Sequence, residues 1–478
     1  MQSTVGTETV SRRAAVEAHV RSLLASGALR RGSRLPSILE LARTLGVAKN
    51  TVIDALDRLC TEGILESRER QGFFVRSAPR VARSKPTRIA DLRVDAVAHG
   101  MATILVQTGG GGEDLVTVGS GTTCESVLST REWTQTLKRA EPRDPTKGLR
   151  YADPLGEPRL RDVIASYVGS HVSPDRVVVT HGAIEALNLA FATVVAATGS
   201  RRIAIESPGY FMIPSMLTEL GIEPVAIPRT EEGFDVEALR AEAKRAPLAA
   251  VMINTNHHNP TGHTLSLAQR FEVAALAQER GIFVLEDDVY KGLWFRDEEP
   301  PTIHSLLPER TVYLSSFSKT LGAGLRVGFM LAPSVLLEPL QRKKFLSTLS
   351  GDAHTQNVVA DFVEGRGYAR HLQEMREELS RRSRIAEVQS ARFKSLGRFS
   401  RPYAGGLFWR FEFRPGVDPM RLYVAARQKN VLISPGSFFR VNPIEADAGD
   451  AWMRVNVSRC QGTALEHVLS VLGEVASA

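Results

Sequence analysis

The spacing of apolar positions divides the chain into two unlike parts. Residues 11–26, SRRAAVEAHVRSLLAS, put Ala14, Ala15, Ala18, Leu23 and Leu24 at intervals that suit one helical face, with arginines elsewhere. GALRRG is a stop. In LPSILELARTLG, Pro36 and Ser37 open a second helix and Gly46 closes it. VAKNTVIDALDRLCTEG predicts a third helix, with Val52, Ala55, Leu56 and Leu59 on one face and Gly63 as its stop. ILESRERQGFFV then reads as two short strands around a charged turn.

Helix, helix–turn–helix and β-wing together outline a winged helix-turn-helix domain, placed at residues 8–76. The stretch RSAPRVARSKPTRIADLR that follows carries six basic residues, two prolines and no long apolar period, so residues 77–114 are expected as a basic linker. Gly109–Gly112 marks a further loop within it, and a second domain is expected over 115–478. From about residue 150 helical stretches alternate with short β-rich runs: RVVVT, RRIAIE, LAAVMIN, IFVLED and TVYLSS. Strands alternating with helices predict an α/β fold with a mostly parallel sheet covered on both faces.

Composition sets limits. The 478 residues are 43% hydrophobic and 24% charged, ordinary for a globular protein. No apolar run is long enough to span a membrane. The opening MQSTVGTETVSRR lacks the apolar core of a secretory signal, so a cytoplasmic location is expected. Cys60, Cys124 and Cys460 lie far apart with no CxxC spacing, which argues against a disulfide framework and a metal site. Charge is more informative. Residues 1–93 hold 17 lysines and arginines against 9 acidic residues, so the whole net excess of +7 sits in the first fifth of the chain. An anionic partner for that part is implied.

In a helix-turn-helix the second helix enters the major groove and its first residues reach base edges. Here those are Lys49, Asn50 and Thr51. Lysine suits guanine or phosphate, asparagine pairs with adenine, and threonine can hold a phosphate. Arg68 and Arg70 in the wing can reach neighbouring backbone or minor groove. Singly, Asn50 or Thr51 reads better as a helix cap; with the charge split, DNA binding is the better reading.

The second part centres on SSFSKTLGAGLRVGF. Lys319 follows Ser316 and Ser318 and precedes Arg326. A lysine amine forms Schiff bases with carbonyls. Pyridoxal phosphate (PLP) is the carbonyl cofactor that uses such a lysine, together with an acid for its pyridine nitrogen, donors for its phosphate and an aromatic face. EDDVY ends a buried-looking strand and supplies a carboxylate, with a tyrosine three residues on. HNPTG offers Asn259 for the 3′ oxygen. THGAIEALNLA leads a glycine into a helix whose N–H groups suit a phosphate. SPGY sets Tyr210 where its ring can stack. Each motif alone is weak; five in order, each ending a strand or opening a helix, are not.

Two resemblances follow. Residues 34–75 resemble the GntR family of bacterial regulators through the LPS turn, LA..LGV, NTV, AL..L..EG and GFFV. The likeness implies DNA contacts from Ser37, Lys49, Asn50, Thr51, Arg68, Arg70 and Gly72. Leu39 and Ile53 stand where the family commonly has arginine. Losing two phosphate contacts flattens the log–log salt slope by about 1.8.

Residues 115–475 resemble fold-type I aminotransferases, with YADPLGEPRLRDVIASYV similar to the family's opening segment. The likeness implies that Lys319 is the aldimine lysine, Asp287 the pyridine partner, Asn259 and Tyr290 the 3′-oxygen donors and Tyr210 the stacking ring. It implies phosphate contacts from Gly182, Ala183, Ile184, Ser316, Ser318 and Arg326, and from Tyr151 across a homodimer interface. Arg454, in MRVNVS, would bind a substrate carboxylate; its plainer reading is a strand-end arginine in a surface ion pair. Ala183 replaces a hydroxyl the family often has, which removes one phosphate donor.

The two halves together resemble the MocR-type regulators. That resemblance implies a dimeric transcription factor whose large domain senses PLP, or an amino acid or amine, through an aldimine at Lys319. The alternative is a working aminotransferase with a weak DNA-binding domain.

Overall fold

The computed structural model describes residues 12–30, 32–68, 71–76, 97, 99–101, 103, 115–128, 130–139, 150–230, 233–295, 299–400, 404–441 and 451–477. Arg70, most of the expected linker and Gly109–Gly112 lie outside them. The chain divides into two compact units, Met1–Pro86 and Thr87–Ala478.

The first unit holds α1 (Arg12–Ala25), α2 (Ile38–Leu45), α3 (Lys49–Thr61) and the antiparallel hairpin β1 (Leu65–Arg68) and β2 (Gly72–Val75). Ser37 caps α2: its hydroxyl accepts from the Glu40 N–H, and the Glu40 carboxylate accepts from the Ser37 N–H. Gly46 ends α2 in the left-handed conformation at φ 64°, which costs glycine least. Val52, Ala55, Leu56 and Leu59 of α3 are wholly buried, the face the periodicity predicts.

One expectation is corrected. The buried positions of α1 are Val16 and Val20, while Ala15 and Ala18 are exposed. A valine removes more apolar surface from water than an alanine, so the helix turns its branched residues inward.

The second unit begins with β3 (Val116–Thr117). Eight strands then build the main sheet: β4 (Val177–Thr180), β5 (Arg202–Ser207), β6 (Glu223–Thr230), β7 (Gly233–Phe234), β8 (Ala250–Asn254), β9 (Phe283–Asp287), β10 (Thr311–Ser316) and β11 (Gly328–Leu331). Their spatial order is β4-β11-β10-β9-β8-β5-β6-β7. Pairings from β10 through β6 are parallel; β11 runs antiparallel to both neighbours, and β7 to β6. Separate apolar clusters cover the sheet, one including the helix Ala183–Thr198 and another the helix Leu267–Arg280. β8 and β9 are buried at every position, which is why they read as unbroken apolar runs.

A smaller antiparallel sheet follows, from β12 (Gly397–Phe399), β13 (Phe408–Phe413) and, beyond β14 (Val431–Leu432), β15 (Trp452–Asn456); β14 pairs parallel with β3. Within the span expected as linker, His99, Gly100 and Thr103 are buried in this unit.

Candidate functional site

Five parallel strands deliver their last residues to one edge of the sheet. β4 ends before Gly182, β5 before Tyr210, β8 before Asn259, β9 on Asp287 and β10 before Lys319. Ligands in open α/β sheets bind at such carboxyl ends.

Lys319 Nζ donates to the Gly121 carbonyl at 2.8 Å. Burial, then the nearby Arg454 cation, holds its amine down to about 8, against the pull of Asp287 in the other direction. A fair share of the amine is therefore unprotonated near neutral pH, the form that attacks a carbonyl. Asp287 is buried, and desolvation pushes its carboxyl up to about 7 although Lys319 and the Val289 N–H pull it down. A carboxyl so placed gains by meeting a cation such as a protonated pyridine. Tyr290 is 2% exposed, and burial drives its hydroxyl well above the ordinary value, so it is a donor. The Tyr210 hydroxyl is likewise pushed up to about 12 by burial.

Gly182, at φ 77°, opens the helix Ala183–Thr198 with no side-chain cap. A Cβ there would lie 2.6 Å from Arg326 Nη2 and would push that guanidinium aside, and the positive φ itself favours glycine. Arg326 Nη2 donates to the His181 carbonyl at 2.8 Å. The Ser316 hydroxyl bonds Ser318 Oγ at 2.9 Å and the Val327 carbonyl at 3.0 Å. A cavity of about 360 Å3 touches this corner, lined by His181, Ile184, Glu185, Asn188 and Arg326 among others. Uncapped N–H groups, two hydroxyls and a guanidinium make an anion cup. The donor set and the close approach of Gly182 to the Arg326 guanidinium fit a PLP phosphate. Tyr151 is 84% exposed, outside this cluster.

Arg454 is not in a surface ion pair. It is 1% exposed, and among the described residues no carboxylate pairs with it. Its Nε and Nη2 donate to the Gly119 carbonyl at 3.1 and 2.7 Å, and its Nη1 to Asn259 Oδ1 at 2.6 Å. The guanidinium carbon lies 4.8 Å from the Phe408 ring centre and 4.7 Å from that of Phe439. Burial lowers its pKa to about 10, so it stays charged. A buried cation with no counter-ion among the described residues favours an anionic ligand.

Sequence reasoning missed the scaffold behind these groups. Asn254 Nδ2 donates to the Asp287 carbonyl at 2.7 Å, and its Oδ1 accepts from the Asn259 N–H at 2.9 Å. The Asn254 N–H in turn bonds Glu206, which pairs with the buried Arg229. The signal was an acid closing the apolar run RRIAIE and an arginine following VAIP. Gly119 and Gly121 carried no signal beyond being glycines.

In the first unit, Lys49 and Asn50 are exposed at the start of α3 and Thr51 is half-buried. Ala48 occupies the N-cap and makes no side-chain bond, so neither Asn50 nor Thr51 serves as the cap. The first N–H groups of α3 therefore add to its attraction for phosphate. Arg68 pairs with Glu66 at 2.6 Å and lies over the Phe74 ring; Gly72 opens β2 at φ 96°. Leu39 is 54% exposed on α2. The hydroxyl of Ser37 is already engaged as a cap.

These sites have counterparts. Residues 115–472 match aminotransferase class I and II, and residues 12–75 match the bacterial regulatory proteins of the gntR family. The chain belongs to the class I and II aminotransferase family, with a GntR-type helix-turn-helix domain ahead of it. This is the layout of the MocR-type transcriptional regulators. It is 27% identical over 465 residues to the HTH-type transcriptional regulator YdcR of Escherichia coli, covering 95% of this chain and 97% of that one. It is 28% identical over 398 residues to the pyridoxine biosynthesis transcriptional regulator PdxR of Corynebacterium glutamicum, covering 81% and 80%. Among solved structures, α-aminoadipate aminotransferase LysN of Thermus thermophilus, complexed with N-(5′-phosphopyridoxyl)-L-leucine, aligns with TM-score 0.69 at 25% identity, over 80% of this chain and 96% of that one.

Proposed function

We propose that this protein is a transcription regulator that binds duplex DNA through residues 12–75 and takes PLP at Lys319 to sense an amino acid or amine. The observation that carries the reading is the joining, in one chain, of a GntR-type domain over residues 12–75 to a unit that holds Lys319, Asp287 and a buried Arg454.

PLP, when bound, supplies an aldehyde for amines and a ring that draws electrons. The chain's own residues do the rest. Lys319 offers a partly unprotonated amine and can move a proton at Nζ. Asp287 holds a proton or a cation at the pyridine side. Asn259, with Oδ1 taken by Arg454, has its Nδ2 free of that bond to donate. Ser316, Ser318, Arg326 and the N–H groups of Gly182, Ala183 and Ile184 bind the phosphate. Arg454 orients a ligand carboxylate. Tyr151, exposed, reaches a neighbouring subunit's phosphate, so the working form is a homodimer with two DNA-binding heads, in the cytoplasm.

A second reading, a working aminotransferase, is favoured by the intact Asn259–Arg454 pair and by 29% identity over 299 residues to the 2-aminoadipate transaminase of Thermus thermophilus. One experiment separates the two. The protein is titrated onto DNA from upstream of its own gene, with and without PLP and amino acids, and the same samples are assayed for keto acid. Specific binding that shifts with PLP or one amine, with little turnover, supports the regulator. Sustained turnover without specific binding supports the enzyme.

A further inference from the structure

His99 comes soon after the boundary between the two units and is 1% exposed. Its ring packs 5.1 Å from Phe438 and 5.8 Å from Tyr423, centre to centre. Nε2 lies 2.8 Å from Ser434 Oγ. Ser434 Oγ donates at 2.8 Å to the Gly119 carbonyl, the same oxygen that accepts Nε and Nη2 of Arg454. A hydroxyl has one proton to give. Given to Gly119, it leaves Ser434 Oγ as the acceptor, so His99 must carry its proton on Nε2. Among the described residues His99 Nδ1 has no hydrogen-bond partner, which agrees with a bare lone pair there. Burial, then the Arg454 and Arg427 cations, holds the ring pKa down to about 3, so the imidazole is neutral at ordinary pH.

Packing repeats the connection. Phe438, against His99, and Phe439, against Arg454, are consecutive in the turn Gly436–Phe439. A Cβ on Gly119 would lie 2.3 Å from Ser434 Oγ, so backbone and hydroxyl meet with no slack. Gly100 sits as closely against Phe211, the neighbour of Tyr210: a Cβ there would lie 2.6 Å from its ring.

We propose that His99 is a positioning residue for the carboxylate site: through Ser434 and the Gly119 carbonyl it keeps the Arg454 guanidinium in one orientation. This rests on the reading of Arg454 as the carboxylate-binding group. It also gives the ligand's carboxylate a physical connection to the segment that leads, along the chain, back to the DNA-binding unit. A ligand that draws on Arg454 changes the donors at Gly119, and Ser434 and His99 feel the change.

The test uses PLP-loaded full-length protein and follows cofactor absorbance during titration with paired probes. L-alanine is compared with ethylamine, L-leucine with isopentylamine, and L-lysine with cadaverine; each amine lacks only the α-carboxylate. Wild type is expected to favour the amino acids. His99→Ala should weaken amino acids about tenfold and leave amines within about twofold, because only a bond that orients Arg454 is lost. His99→Gln, whose amide can donate to Ser434, should recover most of the loss. Ser434→Ala breaks the same chain from its other side and should repeat the selective loss even if His99→Ala folds poorly. Equal effects on both probe classes, or none, in a wild type that discriminates would overturn the inference alone. A wild type that favours neither class overturns the Arg454 reading, and this inference with it.

Discussion

Arg454 Nη1 lies 2.6 Å from Asn259 Oδ1, a contact between residues 195 positions apart. It joins β15 of the small sheet to the turn after β8 of the large one. The bond orients two groups at once: it fixes the amide of Asn259 with its nitrogen away from the guanidinium, and it holds the guanidinium beside that amide. Cofactor hold and ligand hold are therefore coupled.

The first prediction follows from that coupling. Arg454→Lys keeps a charge but loses the planar fork. α-Carboxylate ligands should weaken by about tenfold to a hundredfold, since a charge-assisted hydrogen bond contributes about 1.5–3 kcal/mol. PLP retention should fall with it by a smaller factor, because the bond that orients Asn259 is lost at the same time. Asn259→Ala should weaken both. Absorbance titration of the holoprotein measures the two affinities separately.

Lys319 sets the pH dependence of cofactor capture. The free amine is the reacting form, and its pKa is held to about 8. Capture of PLP should quicken as pH rises from 6 and level off above about 8, where an ordinary lysine would keep climbing past 10. Stopped-flow absorbance reads the rate. Lys319→Ala should leave no PLP attached after borohydride reduction, as judged by intact mass.

Asp287 links stability of the PLP-free protein to pH. Its folded carboxyl, raised from 3.8 to about 7, holds a proton that the unfolded chain has already lost between those values. Stability from this group is therefore fully present below the unfolded pKa and declines as pH rises toward about 7, by up to about 1.4 kcal/mol per unit. Glu206 and Glu286, also pushed up to about 7 by burial, act in the same direction. Asp287→Asn should flatten the fall in Tm between pH 5 and 7 relative to wild type. Thermal unfolding across that range decides it.

Gly182→Ala places a methyl 2.6 Å from Arg326 Nη2 at a backbone φ of 77°. Strain of about 1–3 kcal/mol is expected, and the displaced guanidinium should lower PLP affinity at least about tenfold. Equilibrium dialysis of PLP, with Gly182→Ser as a second variant, provides the measurement.

At the DNA-binding unit, Lys49→Ala should reduce the log–log salt slope by about 0.9, the loss of one phosphate contact. Leu39→Arg, at an exposed position of α2, should steepen it by about the same amount. Asn50→Ala should instead relax base preference, by about 1–3 kcal/mol at one position. Because Ala48 is the N-cap of α3, none of these changes removes a helix cap. Binding isotherms at several salt concentrations separate the three.

Much of the fold was legible because its signals are local. The helix start at Ser37, the stop at Gly46, the buried face of α3 and the apolar runs of β8 and β9 each lie within one element. Where one element had two candidate faces the reading failed. In α1 the alanine spacing suggested one stripe, and the valines took the core instead.

The sequence by itself determined the two-part plan, five of the eight strands of the main sheet and the motifs that bring Lys319, Asp287, Asn259, Tyr210 and Gly182 to the ends of those strands, since periodicity, caps and turns act over a few residues. Tertiary structure alone decided which distant groups meet. It buried Arg454 and bonded it to Asn259, ran Asn254 between Asp287 and Asn259, and set His99 behind Ser434 and Gly119. Desolvation and hydrogen bonding depend on what surrounds a group in space, and no spacing along the chain encodes that.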